Sequence, residues 1–273
     1  MIIASCRRNF DSTRILSKRT QYRDFPDPSQ PDAGKKIELA DLKAQARDQH
    51  VCVMVHGFNN TLPAILKAYG ELQAGLARAG LSGPKGYGLV VGFAWPGWTS
   101  GLGYIPAIRS ANHSGPQLRQ LVNDLRSVAL SVDIQTHSLG ARVALGALAD
   151  PEPVFVDNLL LSAPAVDHDV LEPRQPFHRA LAACNRCLVY HSRHDSVLRG
   201  IYRLGDIPGL MKKSLGMGGP RDKKTTLEKC PNVYVVDCSA CVATHSGYRK
   251  AAPYLAHWRR VWSGAPLPRY EAL

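Results

Sequence analysis

The stretch DIQTHSLGARVALGALA, residues 133–149, joins a short extended segment to a helical one, with Ser138 at the junction. VDIQT (132–136) is predicted as a strand and 139–149 as a helix. A tight turn between such a strand and helix pushes a serine hydroxyl outward and needs small residues on both sides. Gly140, two residues after the serine, meets that need, whereas Thr136, two before it, is larger than usual. The sequence therefore predicts a nucleophile elbow at Ser138.

The rest of the chain alternates short apolar runs, rich in β-branched residues, with longer segments of helical period. This alternation predicts an α/β fold, in which a mostly parallel central sheet carries helices on both faces. The other predicted strands are VCVMV (51–55), GLVVGFAW (88–95), NLLLSA (158–163), CLVYHS (187–192) and VYVVD (233–237). The other predicted helices cover residues 62–79, 115–130, 177–185 and 248–262.

Two segments depart from this alternation. Residues 1–36 are predicted as an N-terminal arm and 37–273 as a single domain. Within the arm, Ile2 and Ile3 are expected to begin a short strand, and the polar, proline-containing remainder is expected to be irregular. The glycine-rich, basic segment 199–229 is predicted as an insertion that acts as a lid.

Composition limits the classes of function. No run approaches the roughly 18 apolar residues of a membrane span, and the opening MIIASCRRNF does not match a secretory signal, so we expect a cytoplasmic protein. The net charge of +12 permits attraction to anionic partners. Because that charge is scattered and no nucleic-acid-binding module accompanies it, we expect no nucleic-acid partner and only weak association with anionic surfaces. The sequence carries no indication of an oligomeric state.

The seven cysteines are expected to be free, buried thiols. Cys184 and Cys187 form one CxxC pair, and Cys238 and Cys241 form another. The first pair would begin a strand and the second would end one, which separates them by about 15–20 Å at ~3.3 Å per residue. One zinc ion cannot join ligands so far apart. We therefore predict no metal site, and nothing in the sequence implies an organic cofactor.

A reactive serine needs a base, and the base needs a group that orients it. In a parallel α/β sheet functional groups lie just after the ends of strands, and in the architecture with a nucleophile elbow their chain order is serine, acid, histidine. Asp195 follows the strand 187–192 and is the predicted acid, with Asp167 and Asp237 as alternatives. His245 lies between the last strand and the last helix and is the predicted base. The other histidines considered are His191, His194 and His257, and also His137, which is expected to point away from Ser138.

The oxyanion formed in acyl transfer needs two preorganised donors, normally backbone N–H groups. One is predicted to be the N–H of Leu139, which follows the nucleophile. The other is predicted to be the N–H of Phe58, because HGFNN follows the strand 51–55 and Gly57 lets the backbone approach the substrate. Asn59 is predicted to contact the substrate. Capping of the next helix by Asn59 or Asn60 is the alternative, and we favour it over a direct role in catalysis.

Two further segments are expected to shape the substrate pocket. The stretch WPGWTSGLGYIPAI (95–108) carries apolar side chains suited to an acyl-binding wall, although core packing would explain them nearly as well. They are Trp95, Trp98, Tyr104 and Ile105. Four lysines on the predicted lid would favour anionic substrates or lipid surfaces, with an ordinary solvated loop as the alternative. They are Lys212, Lys213, Lys223 and Lys224.

With these motifs the chain resembles an α/β-hydrolase and is similar to a group of bacterial α/β-hydrolases of unassigned function. The matching motifs are VHGFNN, FAWPG, THSLGARV, LLLSAPAVDHDV, VYHSRHDSVL and HSGY, and they extend over roughly residues 50 to 250. The resemblance implies the α/β-hydrolase fold, a triad of Ser138, Asp195 and His245, and hydrolysis of a small-molecule ester. A lipase, thioesterase or acyltransferase would use the same groups. A hydrolase-fold protein that binds a partner without catalysis is the alternative of a different class.

Overall fold

The computed structural model describes residues 1–100, 103–152, 154–203 and 213–273, and within these it places ten strands in one sheet. The strands are β1 (Ile2–Arg7), β2 (Leu16–Asp24), β3 (Lys35–Ile37), β4 (His50–Val55), β5 (Leu89–Ala94), β6 (Ser131–His137), β7 (Val156–Ser162), β8 (Cys184–His191), β9 (Val233–Asp237) and β10 (Tyr270–Ala272). Their spatial order is β10-β9-β8-β7-β6-β4-β5-β1-β2-β3. All neighbouring pairs are parallel except β1–β2 and β2–β3. The predicted α/β class and the mostly parallel sheet are confirmed.

Helices cover both faces of this sheet. They are α1 (Leu39–Ala46), α2 (Leu62–Arg78), α3 (Tyr104–Arg126), α4 (Gly140–Leu148), α5 (Ser196–Arg203), α6 (Leu215–Gly218), α7 (Lys223–Lys229) and α8 (Ala252–Trp262). Side chains alternate along β1, so Ile3 and Cys6 lie on opposite faces. Ile3 packs with Tyr69 of α2 around Gly92, whereas Cys6 lies beside Ser114 of α3. Helices α2 and α8 therefore share one face, and α3 packs against α4 on the other. None of the described helices has the length and apolarity to cross a bilayer.

The N-terminal segment corrects the sequence analysis. The prediction of an irregular segment over residues 7–36 is wrong, because β2 pairs antiparallel with β1, with a register shift between Ser5 and Arg7, and β1 itself lies between β2 and β5. The side chains of β2 are mostly half-exposed, so its sequence, LSKRTQYRD, lacks the apolar run of a central strand. Main-chain hydrogen bonds hold β2 in the sheet. Such bonds do not depend on side-chain type, so the amino-acid composition does not reveal this strand.

Helix α3 begins at Tyr104, well before the predicted start at 115. Gly115 and Pro116 suggested a helix start but lie in the interior of α3. At Gly115 an added Cβ would lie 3.2 Å from the backbone nitrogen of Ala147 in α4, so glycine permits the close packing of the two helices. The cost of the proline in mid-helix is offset by that tertiary packing.

Two other predicted helices have different forms in the structure. The segment predicted over 177–185 is a 3-10 helix at His178–Ala183. The predicted last helix is divided at Ala251 into a 3-10 helix (Gly247–Lys250) and α8, which has a proline in its first turn. Proline is suited to that position because its N–H would have no partner there.

The predicted lid, 199–229, lies only partly within the described residues, since 204–212, with Lys212, fall outside them. Part of the remainder is tied to the ends of the strands. Gly216 donates through its N–H to Pro164 O at 2.9 Å, and its carbonyl accepts from the Ser192 N–H at 3.0 Å. Closure of this segment over a site stays a prediction.

The cysteines agree with the prediction except at one position. All seven are free thiols and six are buried, whereas Cys241 is half-buried. Cys184 begins β8 whereas Cys238 directly follows β9, and the two strands are parallel neighbours in which Cys187 aligns with Val233. The two CxxC pairs therefore lie at opposite ends of these strands.

Candidate active site

Ser138 occupies the turn between β6 and α4 in a strained conformation. Its φ is +56°, a left-handed value that costs energy in any residue with a side chain. The turn is fixed by neighbouring loops, because the Ser138 N–H donates to Ser162 O at 3.0 Å and its carbonyl accepts from the Ala165 N–H at 3.1 Å. At Gly140 an added Cβ would lie 2.5 Å from the carbonyl oxygens of Val55 and His56. The start of α4 can therefore lie against the end of β4 only with glycine at this position.

Asp195 and His245 are 50 residues apart in the chain and are in contact in the structure. Asp195 Oδ2 lies 2.6 Å from His245 Nδ1, and the other oxygen, Oδ1, accepts from the Leu198 N–H at 2.9 Å in the first turn of α5. Asp195 is 1% exposed. A carboxylate can only accept, so Nδ1 of His245 carries the hydrogen and Nε2 has a free lone pair.

The other two candidate acids stand elsewhere. Asp237, at the end of β9, accepts hydrogen bonds from the N–H and the hydroxyl of Ser239 in the next turn. These bonds to the charged form hold the pKa of Asp237 below its usual value, although burial opposes this shift. Asp167, after β7, forms an isolated bridge with Ser214. Among the described residues, the hydrogen bond between a candidate aspartate and a candidate histidine is that of Asp195 with His245.

Ser138 and His245 both line a cavity of about 670 Å³. Within the described residues no hydrogen bond joins the Ser138 hydroxyl to the His245 ring. Serine–histidine hydrogen bonds are often long in ligand-free enzymes and tighten when substrate binds. The cavity is thus lined by the serine and by a histidine that Asp195 orients, without a hydrogen bond between these two among the described residues.

The two predicted oxyanion donors flank this serine. Within the described residues, neither the Phe58 N–H nor the Leu139 N–H donates a hydrogen bond. Phe58 lines the cavity, whereas Leu139 is fully buried behind Ser138. At Gly57 an added Cβ would lie 2.8 Å from Ser138 Cβ, so this loop packs directly on the turn that carries Ser138. Two backbone donors that make no hydrogen bond with a described residue therefore lie close to Ser138, one in the adjoining residue and one in the loop that packs on it.

The asparagines do not cap α2. Thr61 does so, by accepting from the Ala64 N–H through its side chain. Asn60 Nδ2 instead donates to Phe58 O at 2.8 Å and braces its own loop. Asn59 has a φ of +61° and lines the cavity, while its N–H donates to Gly97 O at 3.1 Å. The capping alternative is wrong for both asparagines.

The predicted aromatic wall is corrected in part. Tyr104 and Ile105, at the start of α3, line the cavity, but Trp95 and Trp98 do not. Trp95 is fully buried and donates through Nε1 to His56 O at 2.7 Å, so it supports the loop from behind. Trp98 is half-buried, and its Nε1 lies 3.4 Å from Ser110 Oγ. Both tryptophans have packing roles, which was the alternative explanation of this segment.

Sequence reasoning missed the opposite wall, which α2, β6 and α8 supply. It consists of Ala68, Tyr69, Leu72, Gln135 and Tyr254. The three residues from α2 recur at helical spacing, so they could be recognised as one face of that helix, but not as the face that lines a site. Whether this face of α2 packs in the core or lines a cavity depends on contacts with segments that are distant in the chain.

His137 also contributes to this wall. Its ring centroid lies 4.6 Å from that of His245, and its Nε2 lies 2.9 Å from His245 O. A carbonyl oxygen can only accept, so Nε2 carries the hydrogen. Burial, and then the neighbouring His245, lower the pKa of His137 to about 3. His137 is therefore a neutral donor that holds the backbone of the His245 loop.

Comparison with known proteins gives one family. The family model described as "Alpha/beta hydrolase of unknown function (DUF900)" matches residues 32–208. The matched range includes the loop 56–60, Ser138 and Asp195, whereas β1 and His245 lie outside it. A search of the curated proteins finds no match.

Proposed function

This chain belongs to the family of α/β-hydrolases of unknown function, and from that premise we propose that it hydrolyses carboxylic esters through Ser138. The observation that carries the proposal is the Asp195–His245 pair, 2.6 Å apart, whose histidine lines the same cavity as a serine held at a φ of +56°. A buried acid, an oriented imidazole and an outward hydroxyl are the three parts of a serine-hydrolase triad.

In the proposed mechanism, His245 Nε2 takes the proton of Ser138 Oγ as that oxygen attacks the ester carbonyl. Nδ1–H remains bonded to Asp195, which stabilises the imidazolium. The carbonyl oxygen becomes an oxyanion, to which the N–H groups of Phe58 and Leu139 donate. His245 then protonates the departing alcohol oxygen, the C–O bond breaks and an acyl-enzyme forms. Water, deprotonated by His245, attacks the acyl carbon; the bond to Ser138 Oγ then breaks, His245 returns the proton to Oγ, and the carboxylic acid leaves.

The walls of the cavity support an uncharged substrate with an apolar group on each side of the ester. Tyr69 and Leu72 contribute from one face of the sheet, and Tyr104 and Ile105 from the other. Arg249 also lines the cavity, and its charge is offset only in part, because the Glu71 carboxylate 3.7 Å from its Nε also lies 3.6 Å from Lys250 Nζ. A volume of about 670 Å³ suits an acyl chain of medium length rather than acetate alone.

A fluorophosphonate probe, which reacts with activated serines, tests the proposal. The wild type is expected to be labelled, and Ser138→Ala to be unlabelled. Ser214→Ala is the matched control, because Ser214 also stands in an S-x-G sequence but is buried and donates to Pro164 O at 2.9 Å. A folded wild type that is never labelled would refute the proposal and favour a non-catalytic binding protein.

A substrate series then distinguishes the reactions that share this machinery. We expect p-nitrophenyl esters from acetate to palmitate to be hydrolysed, with a maximum at medium length and with loss of activity in Asp195→Asn and His245→Ala. Matched acyl thioesters and an added alcohol acceptor are the comparison substrates. A larger kcat/KM for thioesters, or transfer to the alcohol in preference to water, would replace ester hydrolysis by thioesterase or acyltransferase activity.

A further inference from the structure

Arg7, the last residue of β1, is a buried cation behind the loop that carries Phe58. It is fully buried, and its Nε donates to Trp95 O while its Nη2 donates to Asn60 O, both at 2.8 Å. Within the described residues no carboxylate lies within 4.0 Å of it, and its buried Nη1 has no hydrogen-bond partner. Burial lowers the pKa of Arg7 to about 10, so it remains charged at neutral pH. A buried arginine without an ion-pair partner is costly and calls for an explanation.

The contacts of His56 fix its tautomer. Its Nε2 lies 3.2 Å from Arg7 Nη2 and 3.1 Å from the Trp95 N–H. Both of these groups can only donate, so Nε2 must accept and Nδ1 carries the hydrogen. Nδ1 lies 2.7 Å from Gly57 O and donates to it. Burial and the charge of Arg7 lower the pKa of His56 well below its usual value, which keeps the ring neutral.

The hydrogen bond from His56 Nδ1 to Gly57 O sets the direction of the Phe58 N–H. The described chain has no cis peptide, and in a trans peptide the C=O and the N–H point in opposite directions. Asn60 Nδ2 also donates to Gly57 O, at 3.2 Å, so this carbonyl is held from two sides. The Phe58 N–H of the same peptide therefore points away from the His56 ring and makes no hydrogen bond with a described residue.

We propose that Arg7 and His56 are positioning residues that orient and polarise the Phe58 N–H for the oxyanion. This inference rests on the proposed function. The donors run in one direction, from the Arg7 guanidinium to His56 Nε2, from His56 Nδ1 to Gly57 O, and from Phe58 N–H to the substrate. Each hydrogen bond in such a chain strengthens the next, and a positive charge at its start favours a negative charge at its end.

This arrangement gives the N-terminal strand a function. Arg7 lies outside residues 32–208, the range matched by the family model. It also stands 49 residues before His56 and 88 before Trp95 along the chain. The oxyanion loop is thus supported by a strand that the sequence alone indicated to be peripheral.

Arg7→Met tests the proposal, with Arg8→Met as its matched control, since Arg8 is the next residue and is exposed. Loss of one oxyanion donor typically costs about 100- to 1000-fold in kcat, and we expect a misdirected donor to cost about 10- to 100-fold. KM should change by less than about twofold, because the oxyanion exists only in the transition state. The inhibition constant of an alkyl boronic acid, which forms an anionic tetrahedral adduct with Ser138, should rise by the same factor as kcat falls.

A second measurement needs neither a variant nor activity. The ¹⁵N chemical shifts of the His56 ring should show hydrogen on Nδ1 and none on Nε2, unchanged from pH 5 to pH 8. Hydrogen on Nε2, or titration of this ring in that range, would overturn the proposal. So would a folded Arg7→Met with the kcat and boronate affinity of Arg8→Met. A wild type that is neither active nor labelled by fluorophosphonate would instead refute the esterase function, while the tautomer result would still stand.

Discussion

The conformation of Ser138 makes a prediction about stability that is independent of activity. A left-handed residue with a side chain costs roughly 1–2 kcal/mol, and Ser138 has a φ of +56°. Ser138→Ala retains this cost and loses little else, because the hydroxyl makes no hydrogen bond with a described residue. Ser138→Gly removes the cost, but glycine adds about 0.4–1 kcal/mol of entropy to the unfolded chain. The glycine variant should therefore be more stable than the alanine variant by about 1 kcal/mol.

Urea or thermal unfolding measures this difference. In a chain of this size 1 kcal/mol corresponds to roughly 2 °C in the unfolding midpoint, so Ser138→Gly should unfold about 2 °C above Ser138→Ala. Ala141→Gly, three residues along in α4, is the matched control. There glycine replaces alanine in the first turn of an ordinary helix, and the midpoint should fall, because glycine is less favourable than alanine in a helix.

The sign of this difference in stability shows whether the Ser138 turn is strained. Both variants lack the serine hydroxyl, and neither measurement involves substrate. If Ser138→Gly were less stable than Ser138→Ala by as much as Ala141→Gly is less stable than the wild type, the turn would carry no strain. The structural argument for a nucleophile elbow would then lose its main support.

Three further predictions concern the site and its surroundings. Gly57→Ala, which would place a Cβ 2.8 Å from Ser138 Cβ, should lower kcat by about 100-fold through displacement of the loop. Gly200→Ala, whose added Cβ has no atom of another described residue within 4 Å, should not change it. Burial raises the pKa of Asp133 from 3.8 to about 6, so its contribution to stability is present below pH 4 and is lost as the pH rises through 6. The unfolding free energy of the wild type should thus fall by about 3 kcal/mol relative to Asp133→Asn between pH 4 and pH 7, as urea titrations would show, and parallel curves would contradict this. Leu72→Trp should fill part of the cavity and lower the palmitate-to-acetate ratio of kcat/KM by at least about tenfold, and an unchanged ratio would mean that the acyl chain binds elsewhere.

The parts of the fold that the sequence predicted are those with a local signal. The central strands are short and almost entirely apolar, and the elbow combines a strand, a turn and a glycine within ten residues. The positions of Asp195 and His245 followed from chain order, and the structure places these two at hydrogen-bond distance. Chain order is informative here because the ends of parallel strands meet at one edge of the sheet.

The parts that it did not predict depend on contacts between distant segments. Strand β2 is recognisable only through its partner β1, and the interior glycine and proline of α3 only through the surface of α4. The role of Arg7 is a further case, because a basic residue in a basic N-terminal segment looks like a solvated side chain. Its burial follows from the insertion of β1 beside β5, which no local pattern specifies.

The place of β1 between β2 and β5 has a consequence for synthesis on the ribosome. The hairpin with β2 can form early, but the opposite edge of IIASCR has no partner until residues 89–94 have emerged. At the usual rate of translation that delay is about 5–15 s. During this interval the open edge of a strand that is buried throughout in the folded protein can pair with other nascent chains, so the yield of folded protein in cells should depend on holdase chaperones acting on the segment 1–90.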